Sequence, residues 1–230
     1  MISRSRSCHS VRSLFRLDVD GKVQVQDLAM KTLRFTSIIA RLCLVSIAFL
    51  PTLATVQAAS ATWDLNPVSG DWNTAENWTP NTVPNGPSDT ATFGVSNITD
   101  VSLSDAIEVE GIIFNPGANP YTVTATNLTI SGTGITNNSG ATQNFVTNND
   151  SFPLIFTHSA TAGSGTVFTN NRGRIEFDDS ARAGTATFIT NGNGSITIFF
   201  DQATSDSATF ITNSGGTTFP GKAANCHPHN

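Results

Sequence analysis

Between Arg41 and Arg172 the chain carries no lysine or arginine. A nucleic-acid binder needs cations along its length to neutralise phosphates and release counterions, and an anionic membrane asks for the same. Both partners are excluded for most of this protein. Cysteine is scarce too: Cys8 and Cys43 lie in the first 58 residues, and only Cys226 follows. No internal disulfide can then hold the later part together, so packing and hydrogen bonds must. Leucine, glutamate and lysine, which fill ordinary helices, are sparse after residue 58. Thr, Asn, Gly, Ser, Ala and Phe take their place and suit short strands and tight turns. Asn, Ser, Gly and net negative charge also mark unfolded chains. Regularly placed Phe and Ile argue instead for a packed interior.

The charge is divided by position. Residues 1–58 hold eight Lys/Arg against three Asp/Glu; residues 59–230 hold four against fourteen. The first part is thus +5 and the second −10, within a chain of −5. Residues 30–58 read as a secretory signal-peptide helix: Met30, Lys31, Arg34 and Arg41 form a basic start, Leu42–Leu50 an apolar segment, and Val56-Gln57-Ala58 a small-residue cleavage site. Arg41 and Pro51 bracket a run well short of the ~20 residues a bilayer span needs. Residues 1–29 are basic and then mixed. They read as upstream or disordered leader, with Met30 as the expected start and Ala59 as the first mature residue.

A repeat organises the rest. Ala186-Thr-Phe-Ile-Thr-Asn191 recurs as Ala208-Thr-Phe-Ile-Thr-Asn213, and weaker copies carry the same Thr-Asn step. The Asn falls at 137, 148, 170, 191 and 213, at intervals of 11, 22, 21 and 22. If each coil of chain uses about 22 residues, equivalent positions stack and neighbouring coils pair as parallel strands ~4.8 Å apart. The expected fold is all-β, a parallel β-helix (β-solenoid) of period about 22. Phe168, Phe188 and Phe210 would form one inward stack, and Ile175 with Ile196 or Ile198 another. The Asn would form a corner ladder, with Gly140, Gly173, Gly192 and Gly215 supplying the unusual dihedrals of the corner. An antiparallel β-sandwich is the alternative, since its strands also recur at short intervals.

Residues 59–110 differ from the repeat and hold all three tryptophans. They read as a Trp-rich N-terminal cap region, followed by solenoid repeats over 111–219 and a disordered tail over 220–230. Apolar strands are expected around Ile107–Phe114 and Tyr121–Ile130. The run Trp63-Asp64, Gly70-Asp-Trp-Asn73, Asn77-Trp78, Val83-Pro84, Asp89-Thr-Ala-Thr-Phe93, Gly111-Ile-Ile-Phe-Asn115, Leu128-Thr-Ile-Ser-Gly132 and Gly134-Ile-Thr-Asn-Asn-Ser-Gly140 resembles the start of bacterial autotransporter-type passengers, which carry autotransporter-associated β-strand repeats. The resemblance covers roughly residues 61–216. It implies a right-handed parallel β-helix at, or released from, a Gram-negative surface. The sequence departs from that family in being short and in lacking a C-terminal membrane barrel or an apolar sorting segment. The pattern stops at Phe219, which reads as a truncated gene product whose last coil leaves an open edge for edge-to-edge self-association.

Few residues offer chemistry. Cys226-His227-Pro228-His229 has ligand types that suit zinc or copper, but not the four ligands of a structural site. Glu176 and Asp178 fall on one strand face, and paired carboxylates can hydrolyse glycosides. Arg172, Arg174 and Arg182 are expected to neutralise them, which favours a solvated strand face. His158 stands alone. Trp63, Trp72 and Trp78 would stack on sugars if exposed, or close the end of the solenoid if buried; the second reading is preferred. No nucleophile elbow, phosphate loop, metal-binding helix or calcium nonapeptide occurs. No catalytic, cofactor or metal residue is assigned. The expectation is a non-enzymatic, exported structural or adhesin-like passenger fragment whose partner is extracellular matrix, a host surface or polysaccharide. A carbohydrate-binding or polysaccharide-cleaving β-helix is the alternative.

Overall fold

The computed structural model describes residues 60–149 and 151–219. The signal segment, the leader and the Cys-His tail lie outside the described residues. In chain order the strands are β1 (Ala61–Trp63), β2 (Trp78–Thr79), β3 (Gly86–Phe93), β4 (Asp100–Ser102), β5 (Ile107–Phe114), β6 (Thr122–Thr124), β7 (Leu128–Asn137) and β8 (Gln143–Thr147). They continue as β9 (Leu154–Phe156), β10 (Thr166–Asn170), β11 (Arg174–Phe177), β12 (Thr187–Thr190), β13 (Ile196–Phe199), β14 (Thr209–Thr212) and β15 (Thr217–Phe219). From β3 onward they alternate between two sheets. Sheet A runs β15-β13-β11-β9-β7-β5-β3-β1-β2 and sheet B runs β14-β12-β10-β8-β6-β4.

Among the described strands every pairing is parallel except that of β1 with β2. Parallel neighbours joined by crossovers make a solenoid; a sandwich of antiparallel hairpins is ruled out. Sheet B gains one strand per turn, giving about six turns. Its equivalent residues Phe145, Phe168, Phe188 and Phe210 are 23, 20 and 22 positions apart. A third side is pinned by single parallel bridges linking Gly134, Thr161, Arg182 and Thr204. There Gly134 (φ 90°) packs so closely that a Cβ would sit 2.2 Å from the Thr161 nitrogen.

Phenylalanine fills the interior in two columns. Phe145, Phe168, Phe188 and Phe210 stack with ring centroids 5.0, 4.8 and 5.2 Å apart. Facing them, Phe156, Phe177 and Phe199 stack at 4.7 and 4.5 Å. The columns meet edge to face, as Phe177 and Phe188 do at 5.6 Å. Each buried ring contributes about 1.5–3 kcal/mol from apolar burial, and its stacking partners add to that.

The second column overturns one expectation. Ile175 is inward, but its partner in β13 is Thr197, while Ile196 and Ile198 pair with Arg174 and Glu176 on the outer face. A one-residue slip would reverse every side chain. The observed register seats Phe199 on Phe177 and buries Thr197, whose Oγ1 lies 3.0 Å from that of Thr190. The expected apolar strand at Tyr121–Ile130 is likewise two strands, β6 and β7, split by a turn at Asn127 (φ 60°).

The corner ladder exists with Asn148, Asn191 and Asn213 as expected, but with Asn171 in place of Asn170 and without Asn137. Asn171 donates to Asn148 Oδ1 (3.2 Å), Asn191 to Asn171 (3.0 Å) and Asn213 to Asn191 (2.6 Å). Asn170 is inward and buried; its Oδ1 accepts the Gly173 N–H (2.7 Å) and its Nδ2 donates to Ile196 O (2.9 Å). Asn137 donates to Ala141 O and Gly165 O instead of joining the ladder. Of the four corner glycines, Gly140, Gly192 and Gly215 have positive φ. Gly173 does not; there a Cβ would meet Thr147 Oγ1 at 2.5 Å, so close approach selects glycine.

Candidate functional site

Trp63, Trp72 and Trp78 are all buried at the N-terminal end around Phe93. Each indole N–H is satisfied by a carbonyl: Trp63 by Ile98 (3.0 Å), Trp72 by Pro84 (3.1 Å) and Trp78 by Trp72 (2.7 Å). Rings with no exposed face cannot stack on a sugar, so their role is to close the interior. Tyr121 joins them, with its hydroxyl donating to Gly94 O (2.9 Å), and burial pushes its pKa up to about 12.

The acid cluster lies at the outer face of sheet A and the turn that follows it. Glu176 sits in a row between Ile155 and Ile198 and pairs with the Arg174 guanidinium. Partial burial raises its pKa; Arg174 opposes this and Asp178 adds to it. Burial also raises Asp178, reinforced by Asp179 and Asp201. Asp179 is held low, because its Oδ2 accepts from Thr157 Oγ1 (2.6 Å) and from the His158 N–H (2.9 Å). His158, Asp179 and Asp201 occupy equivalent turn positions with positive φ. The lone histidine is thus one member of a stacked turn.

The arginines do not act together as expected. Of the three, Arg174 contacts Glu176. Arg182 forms a two-pronged pair with Asp206 of the next coil, at 2.9 Å on both prongs. Arg172 lines a hollow of about 250 Å³ at the Asn corner with Asn148, Asn149, Asn193 and Gly194. That hollow was not foreseen from sequence. Its amides and guanidinium can donate and accept hydrogen bonds, and the described residues that line it include no acid, base or nucleophile. Among the described residues no group of three or more His, Cys, Asp or Glu is placed to hold a metal.

The remaining surface is sheet B. The residues between its buried positions point outward in two continuous rows. One is Thr122, Asn144, Val167, Thr187 and Thr209; the other is Thr124, Val146, Thr169, Ile189 and Ile211. Neither row from β6 to β14 contains an ionisable side chain; only Asp100 on β4, at the sheet's N-terminal edge, is charged. Glu108, Glu110, Arg174 and Glu176 all stand on sheet A. The solenoid therefore separates a charged face from a neutral, mostly β-branched one.

The fold and this face define a class: a parallel β-solenoid of stacked coils, capped by aromatic residues at its N-terminal end. The chain matches no protein-family model, no curated protein and no solved structure.

Proposed function

We propose that the mature chain is an exported, non-enzymatic structural or adhesin-like β-helix passenger fragment of a bacterial surface or secreted protein, which docks through sheet B onto an uncharged surface. The segregation of charge carries this reading. Net negative charge keeps a protein soluble, and here the acids stand off sheet B from β6 to β14, with Asp100 on β4 at its N-terminal edge the exception. The neutral face carries hydroxyls and methyls in straight rows, so a partner can approach without desolvating an ion. The partner classes that fit are extracellular matrix, a host surface or neutral polysaccharide. Export rests on the leader, and N-terminal sequencing of the exported form should begin at Ala59.

A polysaccharide-cleaving role has one feature in its favour. Glu176 and Asp178 share an exposed side of the coil, and both are shifted upward. Against it, Arg174 occupies Glu176.

The deciding experiment measures binding of the full chain to immobilised neutral polysaccharides, matrix proteins and cells. Thr169→Lys and Thr187→Glu, both on sheet B, are expected to weaken binding at least about tenfold by leaving a charge unpaired against a neutral partner. Arg174→Ala, on sheet A, should leave it unchanged. Binding that ignores both sheet B substitutions would contradict the proposal. Release of soluble sugar that disappears in Glu176→Gln would replace it with the enzymatic reading.

A further inference from the structure

In an Asn-Gly dipeptide the backbone can attack the preceding side chain, because glycine puts no Cβ in the path of its own nitrogen. The chain has three such dipeptides: Asn85-Gly86, Asn191-Gly192 and Asn193-Gly194. They are alike in sequence and differ in what holds the asparagine.

Asn85 is held at both ends of its amide. Its Nδ2 donates to Ala106 O (3.3 Å) and its Oδ1 accepts the Glu108 N–H (3.0 Å). Gly86 also opens β3, where it pairs with Val109 of β5. Asn191 is a rung of the corner ladder. Its Nδ2 donates to Asn171 Oδ1 (3.0 Å), and its Oδ1 accepts from Asn213 Nδ2 (2.6 Å). Its main-chain carbonyl accepts from the Ser195 hydroxyl as well. Asn193 stands two residues further on, exposed, in the turn between β12 and β13. Among the described residues no hydrogen bond holds its side-chain amide, and none engages the Gly194 N–H. Gly194 has φ 86°, and the place where a Cβ would stand is open space.

We propose that Asn193 is a self-modification site, the place where the folded chain deamidates through a succinimide. The Gly194 nitrogen, deprotonated by base in the solvent, attacks Asn193 Cγ. The N–Cγ bond forms and the Cγ–Nδ2 bond breaks. Nδ2 takes up the proton that Gly194 lost and leaves as ammonia. Water then opens the ring at either carbonyl and gives aspartate or isoaspartate, so one water enters for each ammonia released. Both products put a carboxylate into the hollow that Asn148, Asn149 and Arg172 also line, whose described lining holds no acid before the reaction. They differ in the main chain. Isoaspartate routes it through Cβ and so lengthens it by an atom. Gly215 of the next coil packs on this turn so closely that a Cβ there would lie 2.1 Å from Asn193 Oδ1. Isoaspartate should therefore loosen the coil of β14 and β15, and aspartate should not.

Peptide mapping by mass spectrometry tests this on the full chain, incubated at mildly alkaline pH either folded or unfolded in guanidinium chloride. In the folded chain Asn193 should be modified at least about tenfold faster than Asn191 or Asn85, since each of those must first give up two side-chain hydrogen bonds. Unfolding should abolish that preference. Asn171→Ala removes the acceptor of Asn191 Nδ2, and should speed modification at Asn191 while leaving Asn193 unchanged. If that variant loses its strand signal in far-UV dichroism, the wild-type comparison decides alone. A folded chain in which Asn193 stays intact, or reacts no faster than Asn191 and Asn85, overturns the proposal. A preference for Asn193 that persists in guanidinium overturns it equally, because the fold would then not be its cause.

Discussion

Thr197 and Ile198 are neighbours in β13 with opposite surroundings, and an aspartate at each gives the sharpest test of the register. Thr197 is fully buried between Ile175 and Thr218, with the Thr190 hydroxyl as its partner. A carboxylate there is a buried charge with no cation in reach, which costs about 3–5 kcal/mol. Ile198 stands on the outer face between Glu176 and Phe219. Aspartate there loses up to about 1 kcal/mol of strand preference. A like charge opposite Glu176 adds up to about 1 kcal/mol more. Thr197→Asp should therefore be the more damaging by about 2 kcal/mol, the reverse of what hydrophobicity alone suggests. Urea unfolding of the full chain followed by far-UV dichroism reads the difference. With a slope of about 1–3 kcal/mol/M, the midpoints should differ by about 1 M. Coils contact only their neighbours, so tryptophan fluorescence, which reports the distant N-terminal end, should change less than dichroism. An Ile198→Asp protein less stable than Thr197→Asp would refute the register.

Three further outcomes are expected. Asn170→Ala should cost about 1–3 kcal/mol by orphaning the Gly173 N–H, while Asn171→Ala in the exposed ladder should cost less than about 1 kcal/mol; denaturant midpoints check both. Asp179 has a depressed pKa, so its contribution is present above its unfolded value and fades as pH falls through the lower folded value. Asp179→Asn should thus be less stable than wild type at neutral pH and equal to it in acid, measured by thermal melts across pH. Gly134→Ala should lower the melting temperature, because its positive φ and the 2.2 Å approach to Thr161 leave no room for a methyl.

The coil was legible because a hexamer identity at 22-residue spacing has one economical meaning, equivalent positions stacked in register. The Phe168–Phe188–Phe210 column follows directly from it. What escaped was parity. In Ile196-Thr-Ile-Phe199 the isoleucines look like the interior, yet Phe199 stacked on Phe177 sets the phase and turns them outward. The same one-residue ambiguity misplaced one rung of the ladder, since Asn170 and Asn171 are adjacent and identical, and the Gly173 contact marks which one is inside. Burial of the tryptophans was readable as the need to close an open end. The neutral face of sheet B was not, because its uncharged rows are dispersed through the sequence and align only once the strand register is known. Arg182 was expected beside Glu176, but the coil carries it to the third side, where Asp206 meets it.

The docking face depends on one strand of sheet B being laid down per turn in register. Paired spin labels measure this directly. With Cys8, Cys43 and Cys226 changed to serine, labels are placed at Asp100 with Thr187, and at Asp100 with Thr209, all in one outer row of sheet B. These pairs are four and five strands apart, so pulsed dipolar spectroscopy should give narrow distributions near ~19 and ~24 Å, one strand spacing apart. Distances that do not step by one strand spacing, or a broad distribution near the ~50–60 Å of an unfolded segment of this length, would contradict the stacked coil and the face built on it.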